Sequence, residues 1–206
     1  MLYPGSIYIT GNISPYIASY YGVTTTQTSN ILLTCIVLQC FFLPLGTWII
    51  QQHVNPKLVI LLGACFGLPL MFAASCVPWD KYWLFHWCYS LSWSINAGLA
   101  YYAPVHHAWE FFPDKLGFAS GVVLAGFGGG AIIFDNVSTW LINPTNIPIG
   151  TQDFDDAVRD RFKLMMRWLI FCWLCLVITG IILVWKAPKK NVEVIERLTE
   201  VRFSEV

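Results

Sequence analysis

Apolar residues run through this chain in long blocks rather than in the three-to-four-residue periodicity of surface helices. Six stretches reach the roughly 20 residues that a hydrocarbon layer about 30 Å thick requires of a spanning helix. They run about Leu2 to Tyr21, Asn30 to Ile50, Leu58 to Val77, Tyr82 to Val105, Leu116 to Ile142 and Trp168 to Trp185. Nearly every Lys, Arg, Asp and Glu falls between or after them, as the cost of burying a charge in lipid demands. Asp135 is the exception. The expectation is an all-α, multi-pass integral membrane protein with six transmembrane helices.

Short polar connectors join the first five stretches. Gly22 to Ser29 holds no charge, Gln51 to Lys57 holds one, and Pro78 to Lys81 holds Asp80 and Lys81. Connectors this brief force antiparallel neighbours in one bundle. A longer, Pro-rich run from Asn143 to Gly150 follows the fifth stretch, and helix is expected to resume near Asp155, before the sixth span enters the membrane. After Trp185 come Lys186, Lys189 and Lys190, then Val194, Leu198 and Val201 at helical spacing, read either as a short surface helix or as a frayed linker. The predicted organisation is a bundle over 1–188, made of two three-helix repeats, about 1–78 and 79–188, with a polar tail over 189–206.

Composition narrows the function classes. Of 206 residues 56% are hydrophobic and only 12% charged, against about 25% charged in an average soluble domain. Twelve basic residues balance twelve acidic ones, so nothing draws nucleic acid. Seven cysteines, all inside the apolar stretches, read as small packing residues, including the Cys172–Cys175 pair. No basic region follows Met1, so neither a secretory signal nor a transit peptide is read here. If the N-terminus lies inside, seven Lys and Arg fall on the inner side and five on the outer, a slight bias for inner termini. Nothing matches a Ser, His and Asp triad, a P-loop or a nucleotide fingerprint, so neither an enzyme nor a cofactor is expected.

Polar residues inside the spans carry the candidate chemistry. Tyr8, Asn12 and Tyr16 are spaced four apart in the first span, and Tyr89, Ser92 and Asn96 cluster in the fourth. Polar groups at membrane depth must face protein or water, so the two helices are expected to border either a common wet cavity or each other through hydrogen bonds. Gln39 is a lone polar residue of the second span. The fifth span repeats small residues at Gly117, Gly121, Ala125 and Gly129, a stripe that lets another helix approach closely, in this chain or in a partner. Asp135 reads as a proton or ion site, or else as a carboxylate near the outer boundary. His106 and Glu110 share a helix face but lack a third ligand, so no metal is expected. The Asn-x-Ser sequences at Asn12 and Asn136 lie within spans and read as chance matches to a glycosylation signal.

Several of these residues also occur in a wider pattern. Gly5-Ser6-Ile7-Tyr8, Gly11-Asn12 and Pro15-Tyr16 resemble the first helix of oxalate/formate antiporter-like and monocarboxylate transporter-like members of the major facilitator superfamily. Gly98-Leu99-Ala100-Tyr101 with Pro104, then Phe111 to Gly117, is similar to that family's fourth helix and following loop. Ala125 to Phe134 and Leu141-Ile142-Asn143-Pro144 resemble its Gly-rich fifth helix. The resemblance implies one six-helix half of a twelve-helix transporter that holds small carboxylates between its halves. Two departures stand out. The loop from Gly46 to Lys57 lacks the acidic residue that latches the inner face in the family, and Asp135 stands where a neutral amide is usual.

One bundle has nothing to rock against, so transport by this chain alone is not expected. The leading expectation is therefore an accessory or structural subunit of a larger membrane assembly. The alternative is a functional half that pairs with a second half and carries a small organic anion. Expected partners are the lipid bilayer and either other membrane subunits or that second half. The membrane is expected to be the plasma membrane or an organelle membrane such as the mitochondrial inner membrane.

Overall fold

The computed structural model describes residues 1–52 and 54–183. The predicted polar tail with its basic cluster, and the end of the sixth span, lie outside the described residues. Within them the chain is all-helical: α1 (Leu2–Gly5), a 3-10 turn (Ser6–Tyr8), α2 (Ile9–Tyr21), α3 (Thr25–Gln51), α4 (Pro56–Cys76), α5 (Tyr82–Ala100), α6 (Tyr102–Phe111), a 3-10 turn (Pro113–Lys115), α7 (Leu116–Ile142) and α8 (Gln152–Leu183). Four segments are long and apolar enough to cross a membrane: Thr25–Gln51, Pro56–Cys76, Pro113–Ile142 and Gln152–Leu183.

The first and fourth apolar stretches are not continuous helices. The first is interrupted at Ser6–Tyr8, where Ser6 Oγ donates to the Tyr3 carbonyl at 2.6 Å and Thr10 Oγ1 to that of Ile7 at 2.6 Å. Hydroxyls that bond back to carbonyls compete with the regular helical ladder. The fourth breaks after Ala100 for a simpler reason. Pro104 has no N–H to return to that carbonyl, and its ring crowds it, so α5 stops four residues before the proline.

Other boundaries are written locally. Thr24 caps α3 in a reciprocal box: its hydroxyl accepts from the Gln27 N–H while Gln27 Oε1 accepts from the Thr24 N–H at 3.0 Å. Asn55 accepts from the Lys57 N–H at 3.0 Å with Pro56 at the first turn of α4. Gly22 ends α2 in the left-handed region at φ 63°. Thr24→Ala is expected to lower stability by about 1 kcal/mol, read as a lowered midpoint of unfolding in detergent.

Helix α8 extends further outward than its apolar stretch. Its 32 residues span about 48 Å, more than the hydrocarbon layer, so its first turns stand outside the lipid. Phe154, Val158, Phe162, Met165, Leu169, Trp173 and Val177 form a continuous buried stripe along it.

Helix α5 is the hub. It packs on α3 and α4 and is buried over most of its surface. Its polar residues hold the neighbours: Ser94 donates to the Cys35 carbonyl of α3 at 2.9 Å, His86 Nε2 meets Thr34 at 3.0 Å, and Tyr82 donates to the Gln27 carbonyl at 2.8 Å. Missing Cβ atoms let the backbones close. A Cβ on Gly46 would lie 2.7 Å from the Gly98 carbonyl oxygen, so α3 and α5 cross almost backbone to backbone. The core between α5, α8 and the N-terminal segment is aromatic, with Trp93 and Trp173 at 4.9 Å and Tyr3 stacked on Trp173 at 5.5 Å. Outside, Leu33, Phe41, Phe66, Ile132, Phe171 and Ile182 are all exposed. This outward-facing apolar surface is that of a protein built for a bilayer.

Candidate functional site

One exposed face differs from the apolar remainder, and it is built where α2 meets α7. Tyr8, at the end of the 3-10 turn, and Gly11 and Asn12 of α2 point outward. The Tyr8 ring sits edge-on to Phe127 of α7 at 5.9 Å, and Phe127 is in turn edge-on to Tyr101 at 5.5 Å. Asn12 Nδ2 donates to Thr139 Oγ1 at 2.9 Å, and the same amide reaches the carboxyl of Asp135, one turn earlier on α7. Farther along α2, Ser19 donates to Asp155 of α8 at 2.6 Å. Asp135 is half-buried, and among the described residues no Lys or Arg pairs with it. The result is a strip of amide, hydroxyl and carboxyl groups at the open edge of the bundle. Such a strip has hydrogen-bonding capacity for a polar solute that the surrounding lipid-facing surface lacks.

The structure divides the sequence candidates into groups. Tyr8, Asn12 and Asp135 come together on this face. Tyr16 does not, because each four-residue step advances the helix by about 40°, so after eight residues it has turned about 80° from Tyr8. It is buried and stacked on Phe154 at 5.5 Å. Tyr89 and Ser92 lie inside the bundle, Tyr89 hydrogen-bonded to Thr10 at 3.0 Å and Ser92 donating to the Gly67 carbonyl of α4 at 2.7 Å. Asn96 is buried against α4 as well, so Tyr8 and Asn12 do not share a cavity with Tyr89, Ser92 and Asn96. Gln39 is half-buried on α3. Thr139, Ser19 and Asp155, which complete the open face, are ordinary in sequence. Their place follows from the packing of α2 on α7 and α8, which no local spacing reports.

The glycine stripe falls in two parts. Gly117, Gly121 and Ala125 are exposed, and a Cβ at Gly117 or Gly121 would meet nothing within 4 Å. Gly129 only touches the Leu2 side chain, at 3.8 Å from such a Cβ. The close crossing of α7 instead uses Gly130, against the Leu2 backbone, and Gly5, against the Phe127 backbone. On an ideal helix Gly117, Gly121, Gly128, Asp135 and Thr139 lie within about 40° of one another. The smooth open flank of α7 therefore leads directly into the polar strip.

No family model and no solved structure matches the chain. Among curated proteins it is similar to Apicoplast pyruvate carrier 1 of Toxoplasma gondii, with 32% identity over 154 residues. That alignment takes in 67% of this chain but only 28% of the relative, so the chain spans less than a third of the carrier it resembles.

Proposed function

We propose that this chain is one six-helix half of a carboxylate carrier of the major facilitator type, moving pyruvate or a similar small monocarboxylate by alternating access against a second bundle. The observation that carries the reading is the polar strip of Tyr8, Asn12, Asp135 and Thr139, set beside a smooth glycine flank on an otherwise apolar surface. Similarity to a pyruvate carrier supports the substrate class and an organelle membrane as its location.

In this reading residues 1–188 form the bundle, with α1 to α4 as one three-helix repeat and α5 to α8 as the other, and 189–206 form a tail. Six segments then cross the bilayer, the first and fourth buried enough within the bundle to tolerate their breaks. Tyr8 and Asn12 donate hydrogen bonds to the substrate carboxylate. Asp135 takes up a proton as the anion approaches, so that two like charges do not meet in a poorly hydrated cleft. The glycine flank of α7 is the surface along which the second bundle moves.

A second reading, a non-transporting subunit of a larger membrane assembly, draws on the loop from Gly46 to Lys57, which lacks an acidic latch residue. Liposome uptake of labelled pyruvate separates the two. Uptake that saturates, and that requires a second six-helix bundle beside this chain, supports the carrier reading. A stable assembly in which neither this chain nor its complex takes up pyruvate supports the subunit.

A further inference from the structure

A cavity of about 300 Å³ lies apart from the polar strip, between α1, α4, α5, the start of α6 and α8. This is at the lower end of the volume of small-molecule sites. Its wall is largely apolar, formed by Met1, Leu2, Ile60, Pro104, Leu176 and Val177 among others, with three polar side chains: Thr179, whose hydroxyl is spent on the Cys175 carbonyl at 2.8 Å, and two more. Asn96 is 1% exposed, and its Oδ1 has no hydrogen-bond partner among the described residues. Tyr3 is 4% exposed, and its Oη is likewise unpartnered. Both line the cavity. They converge over Gly67, where a Cβ would lie 2.9 Å from Asn96 Cβ and 3.5 Å from Tyr3 Oη.

Buried polar groups are almost always satisfied, so an amide and a phenol that meet no protein partner and border one cavity point to an occupant. We infer that this cavity binds a neutral single-chain amphiphile of the bilayer, with its hydroxyl or ester group on Asn96 and Tyr3 and its chain along α8. Neutrality follows from the side chains of the lining, none of which is charged to offset the desolvation of a charged head; Met1 at the wall contributes its amino group alone as an ionisable group. Entry from the lipid follows from the surroundings. Leu183 at the cavity wall is exposed, as are Leu61 and Leu62, which follow Ile60 in α4, and Ile178 and Ile182, next in sequence to lining residues of α8. This site does not depend on the transport reading.

The test uses the full chain in phosphatidylcholine liposomes with a photoreactive monoacylglycerol as probe. Labelling is expected to saturate, to map to residues 176–183 or to the start of α4, and to be displaced by unlabelled monoacylglycerol but not by the fatty acid of equal length. Tyr3→Phe removes only the hydroxyl and is expected to weaken labelling about five- to tenfold. Gly180→Phe is expected to abolish it. A Cβ at Gly180 meets nothing within 4 Å, so the new ring enters open space and the fold, followed by tryptophan fluorescence, is retained. Labelling that fails to saturate, spreads over the outer faces of α3 and α7, survives Gly180→Phe or is displaced equally by the fatty acid overturns the proposal.

Discussion

Gly130→Leu unfolds the bundle. A Cβ at this position falls onto the Leu2 carbonyl oxygen, with the Leu2 carbonyl carbon at 2.9 Å and its Cα at 3.0 Å. The atoms in the way are main chain, so no rotamer change relieves the clash. Gly5 makes the reciprocal contact against the Phe127 backbone, which leaves α1 no direction in which to retreat along α7. Overpacking a core with flexible side chains costs about 1–3 kcal/mol, and a forced separation of two backbones exceeds that. It also withdraws Tyr3 from the aromatic cluster with Trp93 and Trp173. The expected result in mild detergent is aggregation, or loss of a cooperative transition by circular dichroism and tryptophan fluorescence. Gly121→Leu is the matched control, because its Cβ enters open space. That variant is expected to keep the fold and its melting transition and, on the proposed function, to lose association with a second bundle, measured by size exclusion or cross-linking. A Gly130→Leu protein that melts like the unsubstituted chain would show that α1 does not lie against α7.

On the proposed function, Asn12→Leu is expected to reduce pyruvate uptake roughly 100-fold, the loss expected when a charged ligand's hydrogen bond is removed from a poorly hydrated site. Asn12 is exposed, and its amide meets only Thr139 and Asp135 at the open edge of α7, so leucine removes the donor without opening a void in the core. Asp135→Asn separates proton coupling from binding. The amide preserves shape and hydrogen bonding to Asn12 but takes up no proton. On the proposed mechanism, uptake with the unsubstituted protein is expected to rise as the outer solution is acidified relative to the lumen. In Asp135→Asn that response flattens, while exchange of pyruvate at equal pH on both sides persists. Unchanged stimulation by a pH gradient in Asp135→Asn would remove the carboxyl from the coupling step.

Much of the architecture is legible in one dimension because a bilayer imposes a length. Twenty apolar residues between charges announce a span whatever surrounds them, and the structure's α3, α4 and α7 begin and end close to where the apolar stretches do. Local chemistry accounts for the caps at Thr24 and Asn55 and, once Pro104 is considered, for the break after Ala100. Spacing alone does not say which polar residue faces whom. Ser92 and Asn12 occupy similar contexts in sequence, yet one is buried against α4 and the other opens outward.

The glycines make the same point. Gly117, Gly121, Ala125 and Gly129 form a regular pattern that draws attention, whereas the crossing that holds α7 uses Gly130 and Gly5, which belong to no stripe. A four-residue repeat shows that a helix face is smooth. It does not show which neighbour lies against that face, because this depends on how every other helix packs.

By itself the sequence determined that this protein is helical, apolar on its outside and interrupted by one intramembrane acid, since helix length, charge exclusion and capping are local or one-dimensional constraints. Only the tertiary structure decided that Tyr8, Asn12, Asp135 and Thr139 share an open face and that Tyr3 and Asn96 line one cavity. Those groupings join residues more than 90 positions apart, and a relation between distant residues is fixed by packing geometry rather than by any pattern along the chain.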